Sequence, residues 1–205
     1  MDVERGSLEK KESDKAILKE IISSRRSVFP KQFTGESIPD STITEILDLA
    51  HMAPNHKKTM PWRYYIYTGQ NLKALVDFKK ELYLKVTPED KVKKSKLQAF
   101  EDRKAKTSHI IAIVVHKNES INLPEWEEMA AVACSIQNIY LSLNTYGVGG
   151  YWSTGMLTGR KEMREHLQLL ENEIFLGFMY LGVPQTQKEK VKREPIGDRV
   201  KWIND

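Results

Sequence analysis

The sequence predicts one domain in which helices surround a small sheet, and three features carry that reading. Two apolar runs, His109 to His116 (HIIAIVVH) and Ile174 to Val183 (IFLGFMYLGV), have the length and composition of buried strands. Around them lie stretches whose apolar residues recur at three- and four-residue spacing, as helices require. The chain has 205 residues, 40% hydrophobic and 29% charged, which suits a single soluble globular domain.

Residues 1–12 are expected to form a flexible N-terminal arm, and residues 13–205 the domain. Ser13 or Asp14 can cap a helix whose apolar face is Ile17, Leu18, Ile21 and Ile22. That helix ends near Ser24, so Arg25, Arg26 and Ser27 fall at its exit. Pro39-Asp40-Ser41-Thr42 opens a second helix, with Thr42 and Glu45 at capping-box spacing and Ile43, Ile46, Leu47 and Ala50 on one face. Pro54 stops it. A proline-bracketed loop, 54–61, leads into a strand from Trp62 to Thr68, closed by Gly69. Asn71 to Lys85 reads as helix with Leu72, Leu75, Val76 and Leu82 inward, and Glu89 to Lys106 as a highly charged helical stretch. The window from Lys79 to Lys106 holds nine Lys and one Arg against five acids, and reads as a solvated helical hairpin.

The longest helix is expected from Glu125 to Tyr146. Its apolar positions are Met129, Ala133, Ile136, Tyr140 and Leu143, with Ala130, Val132 and Ile139 beside them. So broad a face predicts burial on more than one side. Gly147, Gly149 and Gly150 break the chain before Tyr151-Trp152-Ser153-Thr154-Gly155, and a short helix covers Arg160 to Leu167. After Pro184 comes a polar, basic arm, 184–205, too sparse for a core of its own.

Several function classes are excluded by residue type and spacing. No apolar run reaches the roughly 18–20 residues of a bilayer span. Met1 to Lys15 lacks the apolar core of a signal peptide, so the cytoplasm is the expected compartment. Cys134 is the single cysteine, which rules out an internal disulfide, and it is expected to pack in the core. None of the five histidines has metal-ligand spacing, so no metal site is expected, and His109 and His116 are expected to cap a strand at the water interface. No GxSxG elbow or phosphate-binding GxxxxGK[ST] loop is present, and Gly147-Val148-Gly149-Gly150 follows a helix rather than a strand. What remains is a set of polar donors without a nucleophile–base pair. That pattern fits an enzyme whose cofactor carries the chemistry. Arg25 and Arg26 offer planar donor forks suited to a phosphate, although basic residues in a last helical turn often only complement the helix dipole.

Five segments in order resemble the FMN-dependent nitroreductase family, nearest to a short branch with a D/N-H-K-x-x-x-P-W loop. They are RRS at 25–27, APNHKKTMPW at 53–62, GGYWSTG at 149–155, GFMYLGVP at 177–184 and REP at 193–195. The similarity runs from about Lys15 to Trp202. It implies an α+β nitroreductase-like fold, with helices around a central mixed, mainly antiparallel sheet and an extended C-terminal arm. It also implies a homodimer with FMN at the interface. On this resemblance Arg25, Arg26 and Ser27 hold the phosphate and ribityl chain, and Arg193 supplies a second phosphate cation. Met52 and His56 match cofactor-contacting positions, with His56 reaching the partner's flavin. Trp152, Ser153 and Thr154 match the segment lining the isoalloxazine. Lys58 and Met60 stand where many members carry Asn and Gln.

The activity implied is hydride transfer from NAD(P)H through FMN to a nitroaromatic or quinone-type acceptor in a ping-pong cycle, with no side chain as covalent catalyst. Alternatives within the fold are dehalogenation, desaturation or flavin fragmentation. A basic nucleic-acid-binding dimer is the rival of another class, which the interleaved acids of the Lys79–Lys106 window argue against. No nucleic acid or membrane partner is expected.

Overall fold

The computed structural model describes residues 2–186 and 191–203. Residues 187–190 and 204–205 of the expected C-terminal arm lie outside the described residues. Six helices and four strands follow one another as α1 (Asp2–Ser24), α2 (Asp40–His51), β1 (Trp62–Tyr67), α3 (Gly69–Val86), α4 (Lys94–Lys106), β2 (His109–His116), α5 (Glu125–Leu143), β3 (Gly149–Ser153), α6 (Lys161–His166) and β4 (Glu173–Gly182). The four strands form one sheet in the order β1-β2-β4-β3. Every pairing is antiparallel, so the expected mixed sheet is wholly antiparallel among the described residues.

Side chains alternate across the two faces of this sheet, as a period of two requires. Ile110, Ala112, Val114, Phe178 and Tyr180 face a core shared with Leu72, Leu75 and Leu82 of α3, Phe100 of α4 and Met163 of α6. Ile111, Ile113, Val115, Met179 and Leu181 face a second core with Ile43 and Ile46 of α2 and Val132, Ile136 and Ile139 of α5. β2 is therefore covered on both faces, which is why its sequence is a continuous apolar run rather than an alternating one.

β4 carries a bulge. Ile113 pairs with Gly177 but Val114 pairs with Phe175, so Leu176 is the extra residue. Gly177 has φ of 115°, a conformation that L side chains rarely adopt. The bulge leaves the Leu176 carbonyl free of the ladder, and the Trp152 indole Nε1 donates to it at 3.0 Å.

Several sequence expectations are corrected. Helix α1 begins at Asp2 rather than at Ser13, because residues 3–12 are rich in Glu and Lys, good helix formers that continue the turn. The apolar face of α1 is not buried: Ile17, Leu18 and Ile22 are exposed. β3 was not expected as a strand, since Gly149 and Gly150 signal a break. It pairs with β4 throughout. His109 is buried, not at the water interface. Its Nε2 lies 2.9 Å from Asp40 Oδ1 and its Nδ1 2.9 Å from Ser108 Oγ. Cys134 is exposed rather than packed, because α5 turns Val132, Ser135 and Ile136 inward instead. Among the described residues no helix is long and apolar enough to cross a membrane.

Candidate flavin site

The chain leaving α1 runs along the open edge of the sheet. Val28 N donates to Gly150 O at 2.9 Å, which covers β3. Thr34 N donates to Val183 O and Gln185 N to Gln32 O, each at 2.9 Å, which fastens the start of the C-terminal arm to the same segment. Arg25, Arg26 and Ser27 are thereby fixed beside β3, the strand that carries Trp152 and Ser153. The Arg25 guanidinium lies 5.2 Å from the centre of the Tyr140 ring, within cation–π range. Tyr140 Oη accepts from Trp152 N at 2.8 Å. One tyrosine on α5 thus connects the α1 exit to β3.

Arg26 Nη1 donates to Ser23 O at 2.9 Å and to Arg25 O at 2.6 Å, which ties the guanidinium to the carbonyls at the end of α1. Arg26 also lines a cavity of about 160 Å³ with Glu20, Ser24, Val28, Asn144, Pro184 and Thr186. Two guanidinium groups and a hydroxyl within three residues, at a half-buried edge, are a donor set that fits a phosphomonoester. Ser153 is half-buried at the end of β3, and Thr154 beyond it is exposed.

Met52 and His56 lie elsewhere. Met52 caps the C-terminus of α2 with 76% of its surface exposed. His56 Nδ1 sits 2.6 Å from Glu127 Oε2, in the first turn of α5. The loop around His56 holds three non-glycine residues at positive φ, namely Lys57 at 50°, Lys58 at 55° and Met60 at 44°. Asn55 stabilises that geometry, its Oδ1 accepting from Met60 N at 3.1 Å. Such strain persists where the surroundings over-determine it, and it concentrates at functional sites.

Glu127 and Tyr140 are thirteen residues apart on α5, about 20 Å along the helix axis at 1.5 Å per residue. The His56 group and the Arg25–Trp152 group therefore occupy opposite ends of one helix. Arg193 is exposed on the arm and lines a cavity with its own neighbours, Val191, Lys192, Glu194, Ile196 and Arg199. The structure joins Arg25, Arg26, Ser27, Trp152 and Ser153 in one region of the chain. It does not bring Met52, His56 or Arg193 to them.

Sequence reasoning missed Lys79. This lysine of α3 is only 5% exposed. Its Nζ hydrogen-bonds the Tyr180 hydroxyl and lies 3.6 Å from the centre of the Phe178 ring. Burial, with the charges of Arg103 and Lys96 nearby, holds its ammonium well below the ordinary lysine range. The signal was present: residue 79 continues the inward stripe of Leu72, Leu75, Val76 and Leu82 at helical spacing.

These features define an α+β domain with two guanidinium groups at the edge of its antiparallel sheet. The chain belongs to the nitroreductase family, whose pattern matches residues 22–183. It is 30% identical over 184 residues to the Bacillus subtilis (strain 168) protein named "Putative NAD(P)H nitroreductase YfhC", covering 90% of this chain and 93% of that one. A solved nitroreductase-like family protein from Bacillus cereus is 26% identical, covers 91% of this chain and 95% of its own, and superposes with a TM-score of 0.76. A Desulfovibrio desulfuricans protein solved in complex with FMN has the same fold, with 17% identity, a TM-score of 0.69, and 92% of this chain and 97% of that one covered.

Proposed function

We propose that this protein is an FMN-dependent NAD(P)H oxidoreductase, working as a homodimer on nitroaromatic or quinone-type acceptors. The observation that carries the reading is the Arg25–Tyr140–Trp152 connection, which sets cations for a phosphate beside a strand able to line a flat ring. FMN, when bound, supplies the hydride acceptor at N5 and returns the electrons to the acceptor in a ping-pong cycle.

The protein's part is binding and electrostatics. Arg25, Arg26 and Ser27 hold the phosphate and ribityl end. Trp152 is immobilised by two hydrogen bonds, one from its backbone N and one from its indole, so the wall it forms is preorganised. Ser153 and Thr154 supply donors at the edge where negative charge develops. His56, some 20 Å away along α5, serves the second site of the dimer, as do Met52 at the end of α2 and Arg193 from the arm. The exposed Trp126, Met129, Ala133 and Cys134 on α5 and the exposed Ile17, Leu18 and Ile22 on α1 give the partner an apolar surface to cover.

The test is the visible absorption spectrum of freshly purified protein, repeated after anaerobic addition of NADH or NADPH. Flavin bands that bleach with one nucleotide are expected, and they identify the donor. A colourless protein that takes up no added FMN would sink the reading.

A further inference from the structure

The outer and inner faces of the α3–α4 hairpin treat their cations differently. On the outside, Lys80 pairs with Glu101 at 2.7 Å, Lys104 with Asp77 at 2.6 Å and Lys106 with Asp102 at 3.9 Å. On the inside, Lys79, Lys96 and Arg103 line one cavity with Phe100, Phe178, Tyr180 and Ser153, and no carboxylate shares that lining. None of the three makes an ion pair among the described residues. Lys79 is buried, and of its three ammonium donors one meets the Tyr180 hydroxyl. The Arg103 guanidinium stacks 5.1 Å from the Tyr180 ring centre and 5.4 Å from that of Phe100. Its Nη1 reaches only a carbonyl of its own helix, Ala99 O at 3.3 Å, and its Nε is buried with no hydrogen-bond partner. Burial and the neighbouring Arg103 charge hold the Lys79 and Lys96 ammonium groups below the ordinary lysine range, so an anion that joins them favours their charged forms.

We propose that this cavity is an oxyanion subsite that receives the carboxylate of a small-molecule ligand, with Lys79, Lys96 and Arg103 as its cations. The cavity is about 30 Å³, room for about two water-sized atoms. A cavity of that size suits a small planar oxyanion head such as a carboxylate. Lys79, Phe100, Phe178 and Tyr180 form the buried floor, while Gly155 and Met156 at the rim are exposed. A carboxylate therefore enters head first and leaves the body of its molecule at the rim, beside Ser153. Burial pushes the Tyr180 hydroxyl up to about 12, so it stays a neutral donor to an anion. That the ligand is the electron acceptor itself rests on the proposed flavin reading; capture of the carboxylate does not.

The test is isothermal titration of the full-length protein with benzoate and with acetate at constant ionic strength, with inorganic phosphate as the comparison anion. Benzoate should bind and should raise the melting temperature. Lys79→Met and Lys96→Gln should each weaken that binding at least about tenfold, the loss expected for a charge-assisted hydrogen bond. Lys96 is half-buried at the rim, so its variant keeps the test decisive even if the Lys79 variant does not fold. Absence of heat and of thermal shift with both carboxylates overturns the subsite, as does undiminished binding in Lys96→Gln. Phosphate binding tighter than benzoate, and weakened by Lys96→Gln, overturns the carboxylate assignment. Flavin content, read by absorbance on the same samples, separates the two proposals. Protein that stays colourless after FMN is added yet binds benzoate supports the subsite and removes the flavin reading, whereas yellow protein that ignores benzoate removes the subsite alone.

Discussion

Gly177→Ala tests whether the bulge in β4 positions the candidate ring wall. At this position φ is 115°, and a Cβ would lie 2.4 Å from Ser153 O and 3.2 Å from Trp152 Nε1. Ordinary contact begins near 3.4 Å, so Ser153 O must retreat by about 1 Å (3.4 − 2.4). That atom is backbone, and it cannot swing aside as a side-chain tip could. A residue forced into such a region costs about 1–3 kcal/mol, and overpacking adds about 1–3 kcal/mol more. A combined loss of about 4 kcal/mol is a large share of a typical folding stability. At roughly 2–4 °C per kcal/mol for a chain of this size, the melting temperature should fall by about 8–16 °C. Relief comes by pushing β3 outward, so Ser153 moves and FMN binding weakens with it. Circular dichroism melting and flavin absorbance read the two effects separately. Gly159→Ala is the control, because nothing lies within 4 Å of its Cβ and its φ is not in the unusual range. A Gly177→Ala protein melting within about 2 °C of the wild type, with normal flavin content, would refute the reasoning.

Three further outcomes are expected. Arg26→Ala removes bonds to the last carbonyls of α1, at about 0.3–1 kcal/mol, but on the proposed reading it should weaken FMN retention roughly 10–100-fold; normal flavin occupancy after dialysis would count against the assignment. Ala133→Asp places a charge on the uncovered face of α5, so on the proposed reading light scattering should show monomers where the wild type is expected to give dimers, and an unchanged mass would remove that face from the interface. Tyr64 donates to Ser135 Oγ at 2.8 Å, and burial pushes its hydroxyl up to about 12, above the unfolded value of 10.0. The neutral phenol is thus favoured by folding, and its contribution is complete below pH 10 and is lost as pH rises towards 12. Tyr64→Phe should be slightly less stable at pH 8 but lose stability less steeply between pH 10 and 12, as urea titrations at several pH values can establish.

The elements that sequence reasoning located well are those whose signal is local. β2 was legible at both ends because eight residues from His109 to His116 combine β-branched composition with polar termini. β3 was not, because Gly149 and Gly150 are strand residues only by virtue of β4 on one side and Val28 on the other. Periodicity marked the inward stripe of α3, yet the charge of Lys79 hid its membership. On α5 the apolar residues cover more than one face, and composition could not say which face the protomer buries. The structure buries Val132, Ile136, Ile139 and Leu143, leaving Met129 and Ala133 outside. Among the site residues, Arg25 and Trp152 could be named from their segments, but their coupling through Tyr140 is a tertiary fact that no spacing reveals.

The distribution of exposed apolar surface bears on how the site is completed. Scattered exposed hydrophobic residues are ordinary, but here they concentrate on α1, on one side of α5 and on the arm. Trp126 is 66% exposed, Trp202 80% and Ile203 88%. Residues 191–203 are exposed throughout. Fixing a backbone costs about 1–2 kcal/mol per residue, so an arm that buries nothing of its own gains order only from a surface it can cover. The end of α5 that carries His56 and the arm that carries Arg193 lack, within one protomer, any route to Arg25 and Trp152. On the proposed reading, a second copy with its α5 apposed meets both needs at once. It would cover the apolar side of α5 and the arm, and it would bring one copy's His56 and Arg193 towards the other's Arg25, Arg26 and Ser153. On the proposed reading, folding of the arm, dimer formation and cofactor retention are therefore one coupled equilibrium, in which FMN adds stability by binding only the assembled state.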